Sequence, residues 1–136
     1  MSALLHDSLA AAMLTDRERH VVARLVERLR EEIGTDLRAI WLYGSRARGD
    51  ATIDEQDVDR HSDIDLLAIA DGGHERYSER SFELVCEVAD AEGVSPIWYS
   101  LRVRDPEWLR GRREIRSFFI QEVDRDKLVL YGSGLE

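Results

Sequence analysis

Two short apolar runs, one ending in glycine-serine and the other opening on paired aspartates, limit what this chain can fold into more than any other feature. The first, Leu37 to Tyr43, stops at Gly44-Ser45; the second, Asp63 to Ala70, reads D-I-D-L-L-A-I-A. Both are brief and bounded by turn residues, which is how buried strands read. Alternate side chains of a strand share a face, so Asp63 and Asp65 project together while Ile64 and Leu66 turn into the core. Neighbouring carboxylates at the end of a sheet repel unless a cation lies between them. Hard oxygen donors of this kind suit magnesium, with manganese as an alternative, and the cation completes its shell with water and substrate phosphates. Gly44 lets the backbone come close to a phosphate, and the first amides of the turn that follows, with the Ser45 hydroxyl, can donate to its oxygens. Arg46 and Arg48 add positive charge. Residues two apart on a helix diverge, so only one of them faces the site easily.

The charge balance narrows the partners. A net charge of −9 over 136 residues argues against tight, non-specific binding to DNA or RNA, which depends on neutralising many phosphates. A single nucleotide arriving with its own cation remains compatible. No apolar run is long enough to span a bilayer, and Ala3 to Leu14 contains Asp7 without a basic start, unlike a signal peptide. Residence in the cytoplasm, away from membranes, is the expectation. Cys86 is the only cysteine, which excludes an internal disulfide, and His6, His20, His61 and His74 lack metal-ligand spacing.

The remaining elements follow from periodicity. Leu4, Leu5, Leu9, Ala12 and Met13 predict an opening amphipathic helix, and Thr15-Asp16-Arg17-Glu18 reads as a capping box for a longer one ending at Gly34. Val22, Leu25, Val26, Leu29 and Ile33 form its buried stripe. Ser45 to Gly49 allows about one helical turn. Asp50 to Ser62 lacks periodicity and crowds acidic residues, as a solvated loop does. A helix over Tyr77 to Ala91 is expected to bury Phe82, Val85, Cys86 and Ala89, and Val94 to Val103 is expected to be a third strand. Asp105-Pro106 reads as a helix cap, Ile115, Phe118, Phe119 and Val123 as an apolar helical face, and Leu128 to Tyr131 as a last short strand. Trp41, Tyr43, Trp98 and Tyr99 suit core or partner contact better than base stacking. No linker divides the chain, so 1–136 reads as one domain. It comprises N-terminal helices over about 3–33, a catalytic core over about 37–103, and a C-terminal helical segment with a short strand over about 105–132.

The Gly44-Ser45 corner, the Arg46-Ala47-Arg48-Gly49 turn and the Asp63-Ile64-Asp65-Leu66 strand together resemble the minimal nucleotidyltransferases of the DNA polymerase β superfamily. The resemblance implies an α+β fold: a small mixed sheet like the polymerase β palm, with helices packed on one face. It also implies roles. Asp63 and Asp65 bind the metal, Gly44, Ser45, Arg46 and Arg48 bind the nucleotide, and Asp63, Asp65 and Ser45 form the catalytic set. ATP is then the substrate and AMP the group transferred to a hydroxyl. The family's third carboxylate has no counterpart in V-S-P-I-W-Y-S-L-R-V, where Ser95 or Ser100 stands instead and neither can serve as a base at neutral pH. Asp105 and the loop residues Asp54, Asp57 and Asp59 are the remaining substitutes. Either the site works with two aspartates and a displaced third, or it binds nucleotide with little or no turnover.

Small chains of this type resemble the antitoxin of HEPN/MNT toxin–antitoxin pairs, which attaches AMP to a HEPN-type RNase toxin. That implies a protein tyrosine as acceptor and a homo- or hetero-oligomeric assembly. The alternatives are a small-molecule transferase of the aminoglycoside-modifying type and a catalytically silent subunit that neutralises its partner by contact.

Overall fold

A computed structural model describes all residues, Met1–Glu136. The two apolar runs form the central strands, β1 (Leu37–Tyr43) and β2 (Ile64–Ala70), paired antiparallel with Leu42 opposite Leu66 and Tyr43 opposite Asp65. β3 (Tyr99–Arg104) adds parallel to β2, and β4 (Leu128–Gly132) antiparallel to β1, giving the order β3-β2-β1-β4. The sheet is therefore mixed and the fold α+β, as expected.

Strand alternation splits the apolar residues between two faces. On one face Ile40, Leu42, Ile64, Leu66 and Ala68 meet the buried sides of α1 (Ala3–Ala11), α2 (Asp16–Ile33) and α4 (Gly73–Glu92) in the main core. On the other, Ala39, Trp41, Tyr43, Leu67 and Ile69 are covered by Leu109 of α5 (Pro106–Glu114) and by Ile120 and Val123 of α6 (Phe118–Asp126). Helices therefore pack on both faces of the sheet rather than on one as expected, because the odd-numbered strand residues are apolar too, but this second cover is partial. Leu67 and Ile69 are fully buried, whereas Asp65, two residues earlier on the same face, is half-exposed. No helix is long and apolar enough to cross a membrane.

The capping box of α2 forms: the Glu18 amide donates to Thr15 Oγ1 (3.1 Å), and the Thr15 amide donates to Glu18 Oε1 (2.8 Å). The same carboxylate has a second role. Arg46, from the single-turn helix α3 (Ser45–Arg48), is completely buried and grips Glu18 bidentately at 2.7 and 3.0 Å. Its guanidinium also donates to the carbonyls of Met13 (3.1 Å) and Ser62 (2.9 Å), leaving only Nε without a partner. His61 completes the knot. Its Nδ1 accepts from the Asp54 amide (2.9 Å), so Nε2 carries the ring proton and donates to Glu18 Oε2 (3.2 Å). Burial alone would push the Glu18 carboxyl up, but the hydrogen bonds and charge of Arg46, the Thr15 amide and His61 hold it below the usual range.

Several side chains lie elsewhere than periodicity predicts. α4 begins at Gly73, before Tyr77, and buries Ser81, Leu84, Val85, Val88 and Ala89; Phe82, one position round the helix, is exposed, and Cys86 is only partly buried. Pro96 opens a 3-10 turn over Pro96–Trp98, so β3 starts only at Tyr99. Ile115 and Phe118 flank the α5–α6 turn and face solvent, 68% and 78% exposed, because α6 buries the stripe of Ile120 and Val123 instead.

Arg46→Ala leaves the Glu18 charge buried and unpaired, and is expected to cost about 3–5 kcal/mol in chemical denaturation. Replacing Glu18 and Arg46 together by apolar residues should recover part of that loss. A single Arg46 variant as stable as the parent would show that the knot does not hold the fold.

Candidate active site

The corner after β1 is built by backbone conformation. Gly44 has φ +77 and ψ −158, a region essentially confined to glycine, and Gly49 closes α3 with φ +91. Between them Ser45 opens α3; the amides of Ala47 and Arg48 turn back onto the Gly44 carbonyl (3.0 Å each), which leaves those of Ser45 and Arg46 without a backbone acceptor. Opposite Tyr43 stands Asp65, and its carboxylate lies so close to Gly44 that a Cβ there would come within 2.7 Å of Oδ2. The glycine is therefore required twice, by its dihedral angles and by its neighbour. Corner and carboxylate share one site.

Asp63, exposed just before β2, acts on Asp65 through charge. Burial raises the Asp65 carboxyl above its ordinary range, the Asp63 charge raises it further, and Arg102, Arg46 and Arg48 only partly oppose them. Burial and the Asp65 charge likewise push up the Tyr43 phenol beside it. Two carboxylates in this condition suit one hard divalent cation. No third His, Cys, Asp or Glu side chain joins them.

The two arginines of α3 part company, as their spacing requires. Arg48 stays at the surface, donates to Asp50 (3.2 Å) and lines a pocket of about 220 Å3 with Tyr43, Gly44, Phe119, Glu122 and Val123, directly beside the corner. Arg46 does not face it. The expectation that Arg46 contacts a nucleotide is corrected here: its guanidinium is spent on Glu18, Met13 and Ser62, and it reaches the site only through its field. Among the substitutes for a third carboxylate, Asp105 caps α5 by accepting from the Trp108 amide (2.6 Å). Asp54 and Asp57 accept from the amides of Gln56 and Asp59 within the loop. That loop is tied at its foot, where Thr52 and Ser62 bond at 2.8 and 2.9 Å. A larger groove of about 770 Å3, lined by residues including Arg38, Asp71 and Arg113, lies at the far end of β1 and β2, away from the aspartates.

Sequence reasoning missed Glu18 and His61, whose contacts with Arg46 span 28 and 15 residues, and Phe119 and Arg102 at the site's margin. The alternation Ser100, Arg102, Arg104 along β3 was the available signal for Arg102.

Residues 22–119 match the family model of the nucleotidyltransferase domain. No curated protein matches the chain. Among solved structures it is similar to a toxin–antitoxin complex with AMP-PNP, at 23% identity over 81% of this chain and 73% of that one, with a TM-score of 0.48. It is also similar to the MntA–HepT toxin–antitoxin (21%, 85% and 73%, TM-score 0.47). A third is the tri-AMPylated Shewanella oneidensis HEPN toxin in complex with MNT antitoxin (20%, 85% and 72%, TM-score 0.47).

Because the Asp65 carboxyl is raised, the folded chain holds that proton more tightly than the unfolded chain. The group favours folding while protonated, and the benefit is lost as pH rises through its folded value. Asp65→Asn is therefore expected to raise the melting temperature of the metal-free chain at neutral pH, with the gain shrinking below the ordinary carboxylate range. A lower melting temperature at neutral pH contradicts this. Gly44→Ala should cost about 1–3 kcal/mol in denaturant titrations from backbone strain alone. By displacing Asp65 it should also weaken magnesium binding measured by calorimetry, and unchanged binding would separate the corner from the carboxylate.

Proposed function

Because the chain belongs to the nucleotidyltransferase domain family, we propose that it moves AMP from ATP to a hydroxyl on a protein acceptor, a tyrosine of a HEPN-type RNase toxin, and so acts as an antitoxin. The observation that carries this reading is the contact between Gly44 and the Asp65 carboxylate, which brings a phosphate-holding corner and a cation ligand to one point. Asp63 and Asp65 are the residues to hold magnesium. When bound, the ion neutralises triphosphate charge and stabilises the oxygens of the displacement. The amides after Gly44 and the Ser45 hydroxyl orient the phosphates, and Arg48 borders the adjoining pocket.

In the reaction the acceptor oxygen forms a bond to the α-phosphorus while the bond from that phosphorus to the bridging oxygen breaks. Pyrophosphate leaves and the hydroxyl proton passes to water. Positioning and charge then supply most of the rate. One observation favours a silent binding subunit instead: the missing third carboxylate.

The test is to incubate the full chain with α-labelled ATP and magnesium, with and without the product of a neighbouring reading frame as the candidate HEPN-type partner. Label should appear on a partner tyrosine. Asp63→Asn and Asp65→Asn should each lower transfer by about 100-fold or more, the scale of losing a preorganised charge-stabilising group. Toxin inhibition without label, equal in the parent and both variants, would establish contact neutralisation and remove the transferase reading.

A further inference from the structure

β3 brings an unexpected charge to the carboxylates. It lies parallel to β2 with Asp65 opposite Ser100 and Leu67 opposite Arg102. Leu67 shares the Asp65 face, so Ser100, Arg102 and Arg104 belong to that face, while Tyr99 and Val103 pack into the main core on the other. Where a third carboxylate would complete a two-cation site, this chain has a hydroxyl and, next along the strand, a guanidinium.

Arg102 is placed rather than loose. It is exposed, and its guanidinium lies over the Phe119 ring, 5.4 Å from the centroid. Phe119 stands edge-on to Tyr43 at 5.4 Å, and Tyr43 is the cross-strand partner of Asp65. This chain of contacts holds the charge at the uncovered end of the sheet, and its field reaches Asp65. Most arginines of this acidic chain are paired with carboxylates, but Arg102 makes no ion pair. A fixed positive charge there repels a second divalent ion. A guanidinium fork is well shaped for phosphate oxygens, and stacking on an aromatic ring leaves its edge free to donate.

We propose that Arg102 stands in for the second cation: the site takes one divalent ion between Asp63 and Asp65, and the Arg102 guanidinium binds the nucleotide's phosphates directly. This rests on the nucleotidyl-transfer reading and specifies how that site works without its third carboxylate. Arg102 becomes a nucleotide-binding residue, set by the register of β3 and the perch on Phe119.

The test counts ions as well as affinity. Manganese is titrated into the full chain with α,β-methylene-ATP, which cannot donate AMP, and bound manganese is followed by electron paramagnetic resonance. One manganese per bound nucleotide is expected. Arg102→Ala, an exposed substitution whose melting curve should match the parent, is expected to weaken the analogue by about tenfold or more, the scale of losing a hydrogen bond to a charged group. Two manganese ions per nucleotide in the parent, or undiminished affinity in the variant, overturns the proposal and leaves nucleotidyl transfer standing. Failure of the parent to bind the analogue overturns both.

Discussion

The site depends on the approach of a backbone to a carboxylate: Gly44 lies against Asp65 with no room for a side chain between them. The contact is possible because the antiparallel register places Tyr43 opposite Asp65, so the chain leaving β1 turns across the start of β2. Repulsion between Asp63 and Asp65 and the burial of Asp65 make this the electrostatically unfavourable end of the sheet. Natural sites accept such local cost where a ligand relieves it. The opposite end of the same strands has its own pairing, Arg38 with Asp71 at 2.6 Å, and no such tension.

Around this contact the fold divides its labour between two faces. The main core, built on α1, α2 and α4, makes β1 and β2 rigid and carries most of the burial. The knot of Glu18, Arg46 and His61 then ties α3 and the acidic loop to α2, fixing the corner from behind. The smaller face combines a thin apolar cover with the candidate site: Asp65, Tyr43, Phe119 and Arg102 come together where that cover ends.

What could be read from sequence was what is encoded locally. The strand bounds of β1, the capping box at Thr15 and Glu18, the single turn after Gly44 and the Asp105 cap all rest on residues within a few positions of each other. Alternation also puts Asp65 on the face of Leu67 and Ile69, whereas Asp63 lies just before β2 and acts on Asp65 through charge. Arg46 was misjudged because a basic residue beside a phosphate corner looks like a ligand, and nothing near it in sequence shows a buried carboxylate 28 positions earlier. Phe82, Ile115 and Phe118 were misjudged because an apolar residue one step off a helical stripe satisfies the pattern yet faces solvent. The role of Arg102 needs the parallel register of β2 and β3, which no local signal carries.

The thinness of the second face has a mechanical consequence. Only Leu109, Ile120 and Val123 seat α5 and α6 deeply, so this pair is the segment that should part from the body at least cost. Phe119, the perch of Arg102, rides on it. Anything that engages Arg102 from outside thus bears on Phe119 and the helix that carries it, and occupancy of the pocket should be legible as slowed amide exchange along α5 and α6.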